Sequence, residues 1–273
     1  MNSSGGVRAA MLACAALLAT AVSMAAEPPK AQPAAAAAAQ PAAADLLAAM
    51  AQYLAGLQGF EVRMAGGYDA VQPSGEKIEF LELRELAVAR PARLSVRQIS
   101  SDGAEDTIVF DGKTMSVFSS AAGVYAQAPQ PGSLDDALLY FVRELGMNLP
   151  LAPMLSSRFP AELAKHLKSV EYVEYALLPR PAHHLAGRTD AVDFQVWVAD
   201  GPQPVPLRIV ITYRNEPAQP QFRAALVDWK FKAPDGDDAF RFDPPQGARQ
   251  VAFAVQVPGV AAAAAKGAKG AKP

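Results

Sequence analysis

Residues 192–213 read VDFQVWVADGPQPVPLRIVITY, and the fold follows from this stretch. Val192, Phe194, Val196 and Val198 alternate with Asp193, Gln195 and Trp197, the period of a half-buried strand. Asp200-Gly201-Pro202 supplies turn chemistry, and Leu207–Tyr213 returns as a second apolar run rich in β-branched residues. Two such runs joined by a turn predict antiparallel strands with one face on a core. The same pattern extends outward. Val170–Leu178 and His184–Arg188 read as strands upstream. Arg223–Phe231 reads as one downstream, with Ala225, Val227, Trp229 and Phe231 expected on one face.

The first half of the chain alternates in the same way. Phe60, Val62, Met64 and Tyr68 share a face, and Leu94 and Val96 resume the pattern after Arg90-Pro91. Thr107–Phe110 and Thr114–Phe118 flank the hairpin signal Asp111-Gly112-Lys113, and Val124–Ala128 follows. Residues 76–90 fit either period, and their neighbours and Pro91 favour strand. Helical spacing appears in two places. Leu46, Leu47, Met50, Tyr53, Leu54 and Leu57 predict an opening helix with Asp45 as N-cap and Gly59 as stop. Ser133 caps a second helix, whose Leu134, Leu138, Phe141, Val142 and Leu145 form an apolar stripe ended by Gly146. Residues 150–168 read as short helices broken by Pro153 and Pro160. The order helix, strands, helices, strands defines an α+β chain with an antiparallel sheet and helices on one face. No internal repeat is present.

The ends differ from this body. Residues 1–26 read as a cleavable secretory signal, with Arg8, the apolar run Ala9–Val22 and small residues at Ser23 and Ala25. That run of 14 residues is shorter than the ~20 a spanning helix needs, so a retained anchor is the weaker alternative and no transmembrane segment is expected in the mature chain. Lipidation at Cys14, after a loose lipobox Met11-Leu12-Ala13, is the minor one. Residues 27–44 are Ala/Pro/Gln-rich and residues 256–273 Ala/Gly/Lys-rich, both read as disordered tethers around a domain at 45–255. Of the 25 Lys+Arg and 27 Asp+Glu, the ends hold five basic residues (Arg8, Lys30, Lys266, Lys269, Lys272) and one acid (Glu27). The body therefore carries 20 basic and 26 acidic groups. That balance excludes a phosphate-neutralising nucleic-acid binder. With Cys14 in the signal, the mature chain has no thiol for a disulfide, and three histidines make no zinc ligand set.

Catalytic signatures are missing. There is no G-x-S-x-G, Walker loop, G-x-G-x-x-G or H-E-x-x-H. His183-His184, near Arg188, Asp190 and Asp193, is the best chemical cluster, yet neighbours on a strand point to opposite faces and cannot jointly chelate a metal. His166, beside Lys165 and Lys168, reads as exposed. Asp135-Asp136 in a first helical turn read as dipole partners, and Asp235, Asp237 and Asp238 as a solvated turn lacking calcium-loop spacing. Trp197, opposite Val196, is either packed or an exposed platform, with packing favoured. Neither cofactor nor metal is expected.

Several runs together carry a family resemblance. They are His183-His184-Leu185-Ala186, Asp193–Val198, Pro204-Val205-Pro206-Leu207, Ile209–Tyr213, Trp229 and Phe240–Ala248, with Arg90-Pro91 and Phe110–Lys113 before them. Over about residues 45–253 the chain resembles an uncharacterised, domain-of-unknown-function family of bacterial periplasmic proteins. That family is similar in fold to the lipoprotein carriers LolA and LolB. The resemblance implies a strongly curved antiparallel half-barrel covered on its concave face by helices, with an apolar cavity between. Family members often carry a cysteine where this chain has Ala182, so no thiol role transfers. The expected function is non-catalytic: binding or carrying a lipid or the acyl chains of a lipoprotein. The expected lining is Val62, Met64, Val96, Phe110, Phe194, Val196, Ile209, Ile211 and Trp229 on the sheet, with Leu138, Phe141, Val142 and Leu145 on the helix. The same residues also fit a filled core, in which case an envelope module docking a protein partner is the alternative. A hydrolase using His184 and Asp193 ranks below both.

Overall fold

The computed structural model describes residues 42–143 and 150–253. The expected signal, the linker up to residue 41, the tail from 254, Leu145 and Gly146 lie outside the described residues. Helix α1 (Ala43–Gly56) opens the domain and buries Leu47, Met50, Ala51 and Leu54. Its cap falls three residues before the expected Asp45, on Ala42, which offers no side-chain cap. Asp45 is in the first turn, where its charge suits the positive end of the helix dipole, rather than at the cap. The helix stops at Gly56, so Gly59 opens the next strand instead of ending the helix.

Six strands follow as a meander: β1 (Gly59–Val71), β2 (Lys77–Ala89), β3 (Arg93–Ser100), β4 (Glu105–Phe110), β5 (Thr114–Ser119) and β6 (Val124–Pro129). The ambiguous stretch 76–90 is strand β2, paired with β1 along its whole length. Between β4 and β5, Asp111 Oδ1 accepts from the amides of Lys113 (2.8 Å) and Thr114 (2.7 Å), and Gly112 takes φ +92°. This is the turn role its sequence predicts.

Helices α2 (Leu134–Arg143), α3 (Ala152–Leu155) and α4 (Phe159–His166) come next. Pro153 and Pro160 sit in the first turns of α3 and α4. They begin these helices rather than break them, because a first-turn residue has no intrahelical use for the missing N–H. A second meander completes the chain: β7 (Ser169–Ala176), β8 (Ala182–Arg188), β9 (Val192–Ala199), β10 (Pro206–Tyr213) and β11 (Gln221–Lys230). A short strand β12 (Arg249–Gln250) ends it, parallel to β6 and absent from the sequence reading.

β1 pairs with β11, so the two meanders merge into one twelve-stranded sheet in the order β12-β6-β5-β4-β3-β2-β1-β11-β10-β9-β8-β7. The outer strands β12 and β7 do not pair with each other, which leaves the sheet an open half-barrel. Gly66 lies at the junction: a Cβ there would fall 2.0 Å from the Arg223 carbonyl oxygen, so only glycine permits β1 and β11 to approach so closely.

One strand face differs from expectation. On β11 the buried residues are Phe222, Ala224 and Leu226, while Ala225 is half-buried and Val227 exposed. Asp228, at φ +55°, lies where the β1–β11 register slips between Glu61 and Arg63. The bulge inserts one residue and returns Trp229 to the core side, where it meets Phe60 at 5.6 Å and Phe231 at 6.2 Å between ring centres. The core thus lies between one sheet face and the helices, with Phe60, Phe110, Phe141, Phe222 and Leu54 among its fully buried side chains.

Candidate functional site

The helices are held over the concave face by directed polar contacts. At the start of α2 the Asp136 amide donates to Ser133 Oγ (3.2 Å), while the Asp136 carboxylate accepts from the Ser133 amide (3.4 Å) and hydroxyl (2.6 Å). This is a capping box with Asp in the Glu position. The next-door carboxylate does something else. Asp135 accepts from the Ser157 amide at 2.9 Å and from its hydroxyl, fastening α2 to the α3–α4 connection. Burial acts to raise the Asp135 carboxyl, but the Ser157 and Ser156 donors and the Arg90 charge together hold it below its ordinary range. From the strand side, Arg90 Nε donates to the Leu57 carbonyl (2.9 Å) at the end of α1, and its Nη2 to the Leu155 carbonyl (2.8 Å) at the end of α3. One guanidinium satisfies two helix C-termini.

Between these helices and strands β9 and β10 lies a cavity of about 750 Å³, within the range of small-molecule sites. Val196, Ile209, Ile211 and Phe194 line it from the sheet. Leu47 and Met50 line it from α1, Leu138, Leu139 and Val142 from α2, and Leu151, Met154, Phe159 and Leu163 from α3, α4 and their approaches. Arg158, Glu162, Lys165 and His166 on or beside α4, with Thr189 and Tyr213 at strand ends, add polar groups. Leu139 and Val142 are 36% and 46% exposed, although both are apolar and lie on a helix whose other face is packed. Phe194 owes its position to a neighbour. A Cβ at Gly187, its register partner on β8, would fall 2.2 Å from the Phe194 ring.

Of the residues expected to line a cavity, Leu138, Val142, Phe194, Val196, Ile209 and Ile211 do so. Val62, Met64, Val96, Phe110 and Phe141 are instead packed in the filled part of the core, each 5% exposed or less. Trp229 packs on Phe60 and donates from Nε1 to the Pro206 carbonyl (3.3 Å). Leu145 is outside the described residues. The contributions of α1, α3 and α4 were not anticipated, because periodicity identifies an apolar face and not the element opposite it.

The polar candidates are scattered. His184 lies on the face away from the core, stacked on Trp197 at 3.9 Å with Nε2 3.1 Å from Gln195 Oε1. Trp197 also carries the Arg208 guanidinium 5.6 Å from its ring centre, so it is packed on both sides. His183 occupies the opposite face beside Tyr172 (3.3 Å) and Asp200 (3.4 Å). Asp193 is gripped by Arg188 through two bonds of 2.7 and 2.9 Å. The Arg188 hydrogen bonds hold the Asp193 carboxyl below its usual range. His166 is 3.5 Å from Glu162 on α4. Asp235, Asp237 and Asp238 pair with Lys232, Arg93 and Arg241. Among the described residues, no group of three or more His, Cys, Asp or Glu is arranged to hold a metal, and no helix is long and apolar enough to cross a membrane.

Several solved structures share a distant likeness of fold. The MucA/MucB complex of Pseudomonas aeruginosa is 18% identical with a TM-score of 0.41; the match covers 73% of this chain and 61% of that one, so this chain spans under two thirds of its length. The lipoprotein LppX of Mycobacterium tuberculosis is 13% identical (TM-score 0.45, covering 72% of this chain and 99% of that one). A LolA superfamily protein from Nitrosomonas europaea is 12% identical (TM-score 0.36, 74% and 98%). No curated protein matches the sequence. A family profile described as "Predicted periplasmic protein (DUF2092)" matches residues 43–254, the whole span from α1 to the end of the described sheet. This chain belongs to the DUF2092 family of predicted periplasmic proteins.

Proposed function

We propose that this protein binds a hydrophobic ligand in the periplasm, taking a lipid or the acyl chains of a lipoprotein into the cavity between half-barrel and helices. The observation that carries the reading is the cavity itself: about 750 Å³ bounded by Val196, Ile209, Ile211, Leu138 and Met50, with Val142 facing it exposed. An acyl chain gains about 0.8 kcal/mol for each CH₂ removed from water, and such a space offers that gain. The role is non-catalytic. His184 is engaged by Trp197 and Gln195 and Asp193 by Arg188, which supports binding over hydrolysis. Titration with a fluorescent fatty-acid probe tests the reading. The wild type should bind it saturably, and Val196→Trp, which fills the cavity from the sheet side, should abolish binding while the protein stays folded by circular dichroism. Equal binding by this variant, or none by the wild type, contradicts the proposal.

A second reading has its own observation. Among the described residues β7 ends the sheet with one edge unpaired, and Val173 and Tyr175 on it, with Leu177 and Leu178 just after it, are exposed, Leu178 to 83%. An unpaired apolar edge is a template for an extended partner segment. Recovery of one stoichiometric envelope protein by the wild type, lost in Val173→Lys/Leu178→Lys, would favour docking; unchanged recovery would remove this reading.

A further inference from the structure

Strand alternation places Glu82 and Arg84 on the same face as Leu86 and Val88, toward the core. Their side chains are 2% and 4% exposed. Arg84 Nη2 lies 2.8 Å from Glu82 Oε1 and donates to Oε2 at 3.0 Å, and the guanidinium sits 5.8 Å from the centre of the Phe222 ring. A polar row continues across the sheet in register, from Arg84 to Gln98 on β3, to Asp106 on β4 and to Ser119 on β5. Asp106 is only 7% exposed. Among the described residues, three enclosed atoms here, Glu82 Oε1, Arg84 Nε and Asp106 Oδ1, have no hydrogen-bond partner; Glu82 Oε1 still lies against the Arg84 charge, which leaves Arg84 Nε and Asp106 Oδ1 with no counterpart. Buried polar atoms are almost always paired, so an orphan donor and an orphan acceptor on one face require an explanation. The row approaches the cavity at its Arg84 end: Phe222, under the Arg84 guanidinium, is the register partner of Ile211, which lines the cavity together with Tyr213.

We propose that Arg84, Glu82 and Asp106 form a headgroup subsite that receives a neutral, hydroxyl-bearing head, of the acylglycerol kind, while the acyl chain occupies the cavity. This rests on the cavity reading above. Charge selects the class. Arg84 and Glu82 neutralise each other, and Asp106 leaves no surplus cation for a phosphate or carboxylate. Hydroxyls both accept and donate, so one hydroxyl of such a head can accept from Arg84 Nε–H and another donate to Asp106 Oδ1, the orphaned donor and the orphaned acceptor left without a charge partner. Neighbouring strands are about 4.8 Å apart, so the row from β2 to β4 spans the reach of a small polyol. Burial pushes the Asp106 carboxyl up, against the Ser119 hydrogen bond, and a group poised toward its neutral form suits an uncharged head. Tyr213, pushed up to about 12 by burial, with Glu216 and the Arg84 and Glu82 charges acting on it, stays a neutral donor.

The test is competition against the fluorescent probe by monopalmitoylglycerol, methyl palmitate and palmitate, which share one chain. The wild type should prefer monopalmitoylglycerol to each of the others by about tenfold, the ratio that one well-made hydrogen bond supplies. Glu82→Leu/Arg84→Met replaces the pair with apolar groups of similar size, a change buried pairs often tolerate. It should still bind methyl palmitate but lose the preference for the glycerol ester. If the double variant does not fold, Asp106→Leu gives the same reading. Equal binding of the two esters by the wild type, tighter binding of palmitate, or an undiminished preference in the variants overturns the subsite while leaving the cavity intact. Failure of all three ligands to displace the probe overturns both.

Discussion

Arg90 is one residue before a proline and lies between three elements. Its two bonds, to the Leu57 and Leu155 carbonyls, join the end of β2 to α1 and α3, so its loss leaves two helix-terminal acceptors unpaired. A hydrogen bond to a charged donor contributes about 1.5–3 kcal/mol, and Arg90→Met should lower unfolding free energy in urea by about 2–3 kcal/mol with probe affinity reduced. Asp106 acts in the opposite sense. Its folded-state pKa is raised by burial, with the Ser119 bond opposing and Asp102 adding. Its contribution is therefore most favourable below the unfolded carboxyl pKa and is lost as pH rises through the folded value. Asp106→Asn should melt at a higher temperature than wild type at pH 7, and the two should converge near pH 3, as a thermal melt at each pH will show. Asp135, held low by its serine donors after burial has opposed them, behaves conversely: its stabilisation is present above the unfolded carboxyl pKa and fades as pH falls through the folded one.

At the scale of elements, α2 depends on its first turn. Ser133→Ala removes the Oγ that receives the Asp136 amide and should cost about 1 kcal/mol, measurable by chemical denaturation. Much of this level was legible in the residues. The period-two runs located β1 and β3 to β11, β2 followed from its neighbours and Pro91, and the Asp111-Gly112 turn appeared where expected. The illegible parts have physical causes. Asp228 in a left-handed conformation reverses which β11 residues face the core, and an exposed Asp carries no sign of a bulge in a single sequence. The first-turn positions of Pro153 and Pro160 depend on where α3 and α4 start, which composition does not mark. The burial of Glu82 and Arg84 is not legible in the sequence, because residues 76–90 fit two periods and charged residues on a strand ordinarily face solvent.

For the whole molecule, the two meanders meet at β1 and β11 and leave β7 and β12 unjoined, giving a sheet whose concave face is covered by α1 to α4. Phe110, Val96, Val62 and Met64 fill the core toward one side. Val196, Ile209, Ile211 and Phe194 border the cavity on the other. Periodicity assigns both groups to one apolar face, and only the placement of the helices separates packed core from open space. The central claim is that this space holds an apolar ligand. It is tested most directly by native mass spectrometry of the purified protein, followed by organic extraction of the same sample. The account predicts an added mass that disappears on extraction and is recovered as lipid; an unliganded mass, with no lipid in the extract, would contradict it.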